Sequence, residues 1–104
     1  MEKIETKEQF EEKIQRDSVS VVKFETTWCP DCKRLNMFIE PIIKEHADKE
    51  WYAIDRDQFP DLSEKYDVRG IPSLLVFKNG EKLAHLHSAN AKTPEQVREF
   101  LASV

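Results

Sequence analysis

Glycine is nearly absent from this 104-residue chain. Gly70 and Gly80 are the only two, so left-handed backbone is cheap at few places and the elements must connect through compact turns. Cysteine is as scarce, with Cys29 and Cys32 alone. Two thiols separated by two residues close too small a loop to restrict the unfolded chain, which argues against a disulfide-stapled scaffold. There is no basic excess: Lys+Arg is 16 against Asp+Glu 20, a formal charge of −4. Nucleic-acid and anionic-membrane binders need a basic footprint, so neither partner is expected. No apolar run approaches the roughly 18 residues of a membrane span. The polar start, Met1–Lys7, lacks the apolar core of a signal peptide, and a cytoplasmic location is expected. What remains is a hydrophobic content of 39%, enough for one core, so residues 1–104 are expected to form a single domain. Charged residues make up 35%, against about 25% in an average domain, so the surface is heavily solvated.

The patterning predicts alternating elements. Thr6-Lys7-Glu8-Gln9 matches a capping box, and Phe10 and Ile14 follow at helical spacing, which predicts a helix over about 7–17. Val19–Glu25 is β-branched and aromatic, with apolar residues on both parities, as in a strand covered on both faces. Leu35, Phe38, Ile39, Ile42 and Ile43 mark a second helix that starts near Pro30 and should kink at Pro41. Trp51–Asp55 reads as a strand, Asp61–Tyr66 as a short helix and Ser73–Phe77 as a third strand. Asn79-Gly80 is a hairpin signal, and Lys82–His87 pairs back as a half-exposed strand. Thr93-Pro94-Glu95-Gln96 opens the last helix with a cap, a proline and a reciprocal glutamine. The order predicts an α/β structure with a mixed sheet and helices on both faces.

The chemistry concentrates at Cys29 and Cys32. Cys29 follows a strand and precedes a helix, where unpaired amides and the helix dipole favour an anion. Cys32 lies nearly one turn later on the same side, so the sulfurs can meet, and Cys29 is expected to be the more exposed. Such a pair suits thiol–disulfide exchange: Cys29 attacks a substrate disulfide, then Cys32 attacks Cys29 and releases the reduced substrate. Zinc binding by Cys29 and Cys32, with His85 and His87, is an alternative, although those histidines lie on a strand rather than at turn-like spacing. A pair of buried structural cysteines is another, and a redox-inert adaptor a further one. Pro30 between the cysteines, Trp28 before them and the strand–helix junction favour exchange. His85 and His87 are expected to be solvated, and His46 to sit near a helix end.

The segment Trp28-Cys29-Pro30-Asp31-Cys32-Lys33, after the strand Val19–Phe24, resembles the active-site segment of the thioredoxin family. Gly70-Ile71-Pro72-Ser73-Leu74-Leu75-Val76-Phe77-Lys78-Asn79-Gly80-Glu81 is similar to the same family's second conserved segment, and the separation of Cys29 and Pro72 also fits. The resemblance covers essentially the whole chain. It implies a thioredoxin fold, disulfide reductase activity on proteins or small molecules, and a cis Ile71–Pro72 bond that leaves the Ile71 backbone free to pair with an extended substrate. Trp28, Ile71 and Pro72 are therefore substrate-binding candidates. No organic cofactor or metal is expected, and the resemblance implies recycling by a thioredoxin reductase or a low-molecular-weight thiol. A monomer is expected.

Two departures from the family pattern stand out. Pro30-Asp31 replaces the common Gly-Pro, which is similar to a related subgroup with narrower substrate choice. Asp31 brings negative charge near Cys29 but also suits a helix first turn. Lys23 occupies the place of a buried aspartate to which the family assigns proton transfer to the resolving cysteine. Buried, Lys23 could act as base, stabilise a thiolate, or pair with Glu25 two residues on, on the same strand face. Glu25 could itself take the proton-transfer role.

Overall fold

The computed structural model describes Met1–Val104. The Thr6 hydroxyl accepts the amide of Gln9, so helix α1 (Lys7–Ile14) starts where the capping pattern places it. It stops short of residue 17 because the hairpin turn takes over its end: the amides of Asn79 and Gly80 donate to the carbonyls of Arg16 and Ile14. Both turn residues have positive φ, 54° and 79°, as a tight hairpin with right-handed twist requires.

Five strands form one mixed sheet. They are β1 (Glu2–Lys3), β2 (Ser20–Glu25), β3 (Glu50–Asp55), β4 (Ser73–Lys78) and β5 (Glu81–Leu86), in the spatial order β1-β3-β2-β4-β5. β3 runs parallel to β1 and β2, whereas β4 is antiparallel to β2 and β5. β1 has no counterpart in the sequence pattern: two charged, exposed residues at the sheet edge are held there by backbone pairing alone. Helix α2 (Pro30–Glu45) continues through Pro41, whose position is exposed to solvent. Helices α3 (Pro60–Lys65) and α4 (Pro94–Ala102) complete the layers, the latter with the full Thr93–Gln96 capping box. Two 3₁₀ turns, Arg56–Gln58 and Ser88–Asn90, were absent from the sequence expectation.

Neighbouring residues of the central strands serve opposite cores. Val22, Phe24, Leu75 and Phe77 pack with Phe10, Ile14 and Leu62 on the α1/α3 side. Val21, Leu74 and Val76 pack with Leu35, Ile39, Ile42, Val97 and Leu101 on the α2/α4 side. This is why the β2 and β4 sequences do not alternate. It also fixes the orientation of the site: Lys23 and Glu25 share the parity of Val21 and face α2.

Candidate active site

The chain leaves β2 at Glu25 and turns into α2 within a few residues, with Cys29 as the N-cap of that helix. Its sulfur does what a capping oxygen normally does: Sγ accepts the Cys32 N–H at 3.1 Å. Pro30 fills the first helical position, where a missing N–H costs nothing. Both cysteines are unbridged. The expected order of exposure holds narrowly, at 3% for Cys29 and 1% for Cys32, so both thiols lie beneath the surface rather than one standing open.

The two sulfurs differ in environment. Burial, the neighbouring Cys29 sulfur and the Glu25 carboxylate push the Cys32 thiol up to about 12, opposed by the Thr26 backbone amide. Cys32 therefore holds its proton at neutral pH. Cys29 Sγ lies 3.8 Å from the Ile71 carbonyl oxygen. The Ile71–Pro72 peptide is cis, in agreement with the expectation, and the β2–β4 ladder begins only at Ser73, outside this loop.

Trp28 is 60% exposed, and its indole N–H donates to Asp57 Oδ2 at 2.8 Å. The Arg56 guanidinium stands 6.0 Å from the ring centroid. The indole donor and Arg56 together hold the Asp57 carboxyl below its ordinary value. Asp31 receives Lys92 Nζ at 2.6 Å and Arg34 at 3.3 Å, and these cations, Lys92 first, lower its carboxyl likewise. Behind Cys32 opens a cleft of about 270 Å³, lined in part by Cys32, Glu25, Thr26 and Asn36.

A family model described as Thioredoxin matches residues 2–103. The chain belongs to the thioredoxin family. It is a thiol–disulfide oxidoreductase whose two cysteines lie together as a dithiol. It is 33% identical to Thioredoxin-1 of Saccharomyces cerevisiae over 98 residues, 94% of this chain and 92% of that protein. Over 86 residues, 81% of this chain, it is 35% identical to Glutaredoxin 3 of Danio rerio, of whose length it spans 26%. The structure of thioredoxin from Trypanosoma brucei brucei superposes with a TM-score of 0.86 at 25% identity, covering 97% of this chain and 87% of that one.

Lys23 is 5% exposed. Its ammonium hydrogen-bonds Asn36 Oδ1 and lies 3.0 Å from Glu25 Oε1, the contact that their shared strand face allows. Asn36 closes the triangle by donating from Nδ2 to Glu25 Oε1 at 3.1 Å. Sequence reasoning did not single out Asn36, Asp57 or Lys92. Asn36 had a local signal, since it stands one turn beyond Cys32 on α2. Asp57 and Lys92 had none, because their contacts with Trp28 and Asp31 form only in the fold.

The histidines lie outside this arrangement, and one is not solvated as expected. A β-bulge shifts the β4–β5 register between Val76 and Phe77, so Lys82 and His85 face the same side. His85 is half-buried opposite Leu75, and its ring stacks on exposed His87 at 3.8 Å. Lys82 Nζ lies 3.1 Å from His85 Nδ1, and buried Nε2 has no partner. Burial, then His87 and Lys82, lower His85 to about 4. No three His, Cys, Asp or Glu side chains gather as a metal-binding group, so Cys29 and Cys32 do not meet His85 and His87. No helix is long and apolar enough to cross a membrane.

Proposed function

We propose that this chain is a single-domain, monomeric disulfide reductase of the cytoplasm, in which Cys29 is the attacking thiol and Cys32 the resolving one. The observation that carries this is the shared first turn of α2. There Cys29 Sγ caps the helix at 3.1 Å from the Cys32 amide, beside the Ile71 carbonyl. That amide and the positive end of the α2 dipole face the Cys29 sulfur. Cys29 breaks a substrate S–S bond, forming a mixed disulfide and releasing one substrate thiolate. Cys32, held one turn away, then attacks Cys29. The second substrate thiol leaves, and the Cys29–Cys32 disulfide keeps the oxidising equivalents.

Trp28 offers the leaving and entering substrate an exposed aromatic surface, and the Ile71 carbonyl, ahead of cis Pro72, stands 3.8 Å from Cys29 Sγ. Pro30 sets the helix start. Asp31, tied to Lys92, and the Lys23–Glu25 pair tune the charge around the two sulfurs. Recycling falls to a thioredoxin reductase or a low-molecular-weight thiol, which returns two electrons to the disulfide.

The test is a covalent trap. Cys32→Ser expressed in cells should accumulate disulfide adducts at Cys29, released by dithiothreitol and identified by mass spectrometry, and Cys29→Ser should accumulate none. An empty Cys32→Ser trap, together with wild-type protein inert toward a chromogenic aromatic disulfide, overturns the assignment.

A further inference from the structure

The cleft of about 270 Å³ beside Cys32 has an unbalanced wall. Four charged side chains line it: Lys3 of β1, Glu25 of β2, Lys33 of α2 and Asp55 of β3. Both carboxylates are engaged. Glu25 Oε1 receives Lys23 Nζ at 3.0 Å and Asn36 Nδ2 at 3.1 Å, and Asp55 Oδ1 receives the Asp57 amide at 2.9 Å. The lysines are not: none of the ion pairs of the fold includes Lys3 or Lys33. Backbone pairing opposite Ala53 places Lys3 at the cleft, and the first turn of α2 places Lys33. Thr26 lines the same wall and is 5% exposed, yet its Oγ1 has no hydrogen-bond partner. Native folds rarely leave a buried hydroxyl unpaired, and a hydroxyl can donate to an anion. Ala53 and Ile54 supply an apolar stretch of the lining. The volume falls just below that of sites for drug-sized ligands, which suits a smaller molecule.

We propose that this cleft is a binding site for a small organic carboxylate. Its anionic end takes hydrogen bonds from Lys3, Lys33 and the Thr26 hydroxyl, and its apolar end rests on Ala53 and Ile54. A cationic ligand would leave both lysines and the hydroxyl unanswered. A hydrated inorganic anion would gain nothing from the apolar stretch, and a multiply charged one would meet Glu25 and Asp55. The site also acts on the dithiol, a consequence that rests on the assignment of Cys32 as the resolving thiol. The Thr26 backbone amide supports a thiolate at Cys32, and the Glu25 carboxylate opposes one. A second carboxylate on this wall adds to that opposition. Cys29 is not part of the lining. An occupied cleft therefore slows resolution by Cys32, spares attack by Cys29 and prolongs the mixed disulfide between the two steps.

The probe is benzoate, with benzamide as its uncharged isostere and inorganic phosphate as the inorganic anion. Each is added to the dithiol protein at constant ionic strength and followed through the backbone amide resonances by NMR. Benzoate should shift the Thr26, Thr27, Lys33 and Ala53 amides with a Kd of about 1 mM. Benzamide and phosphate should bind at least about tenfold more weakly. Lys3→Gln combined with Lys33→Gln should weaken benzoate by about tenfold, and both positions are exposed, so the fold is retained. Thr26→Val, which keeps the side-chain shape, should weaken it by about fivefold. No shift with benzoate, equal binding of benzamide or phosphate, or an affinity unchanged in the double variant overturns the site. Stopped-flow mixing with dithiodipyridine, a neutral aromatic disulfide, reads the consequence. The first burst of coloured product reports attack by Cys29, and the second reports resolution by Cys32. Saturating benzoate should slow the second burst by about threefold and leave the first unchanged, in wild type but not in the lysine double variant. A second burst indifferent to benzoate overturns the effect on Cys32. A ligand-free wild-type protein with no second burst would instead remove the assignment of Cys32, while the amide shifts still decide the site.

Discussion

The two sides of the first turn of α2 hold charge in different ways. On the outer rim, Asp31, 37% exposed, pairs with Lys92 and Arg34, and Asp57, 50% exposed, pairs with Trp28 and the less exposed Arg56. On the inner side, the Lys23 side chain is 7% exposed and Glu25 25%, with Asn36 bridging them. Water screens the rim pairs, so they can orient a substrate while contributing little to stability. The inner pair has lost most of that screening, so removing one partner leaves a charge that the fold must carry alone. The rim charges are therefore cheap to alter, and the inner pair is not.

Breaking each side in turn should give effects of descending size. Cys29→Ser should abolish reduction of an aromatic disulfide, followed by absorbance, while leaving the urea unfolding curve unchanged. Lys23→Ala should destabilise the fold by about 2–3 kcal/mol, read from urea denaturation. Lys23→Met combined with Glu25→Gln should recover most of that loss, because no unpaired charge remains. Trp28→Ala should lower kcat/KM toward protein disulfides by about tenfold with no change in the unfolding midpoint, since the ring is mostly solvent-facing and its loss removes substrate surface rather than core.

A smaller effect separates the hairpin from both sides of the site. His85 has its proton affinity lowered from 6.5 to about 4 by burial and nearby positive groups. The unfolded chain then binds more protons than the folded one between these values, so stability is complete above the upper value and falls as pH drops toward the lower. Allowing for the half-exposed ring, the loss is about 1 kcal/mol, and His85→Gln should flatten it in urea titrations across that range. The smallest effect belongs to the rim: Lys92→Ala should leave the unfolding midpoint unchanged and alter the turnover of charged substrates only at low salt.

Much of this was legible in the residues because it is local. A threonine with glutamine three places on caps α1 and α4, Asn79-Gly80 makes the hairpin, and a strand handing over to a proline-led helix presents Cys29 and Cys32 on one turn. What stayed hidden depends on partners distant in sequence. β1 is two charged residues that become a strand only beside β3. The bulge in β5 comes from its pairing with β4, and without it Lys82 and His85 would face opposite sides. Lys92 reaches Asp31 across 61 residues, a distance no local pattern encodes. The pairing of Lys23 with Glu25 was foreseeable from their shared strand face. That Asn36 would link both to the helix carrying Cys32 needed the packing of α2 on β2.

The division of labour between the two sulfurs is tested most directly by competition for a single label. Dithiol protein at neutral pH is given less iodoacetamide than one equivalent, digested and mapped by mass spectrometry. With Cys32 pushed up to about 12, the label should fall on Cys29 almost alone. Label on Cys32, or an even split between the two, would contradict the account.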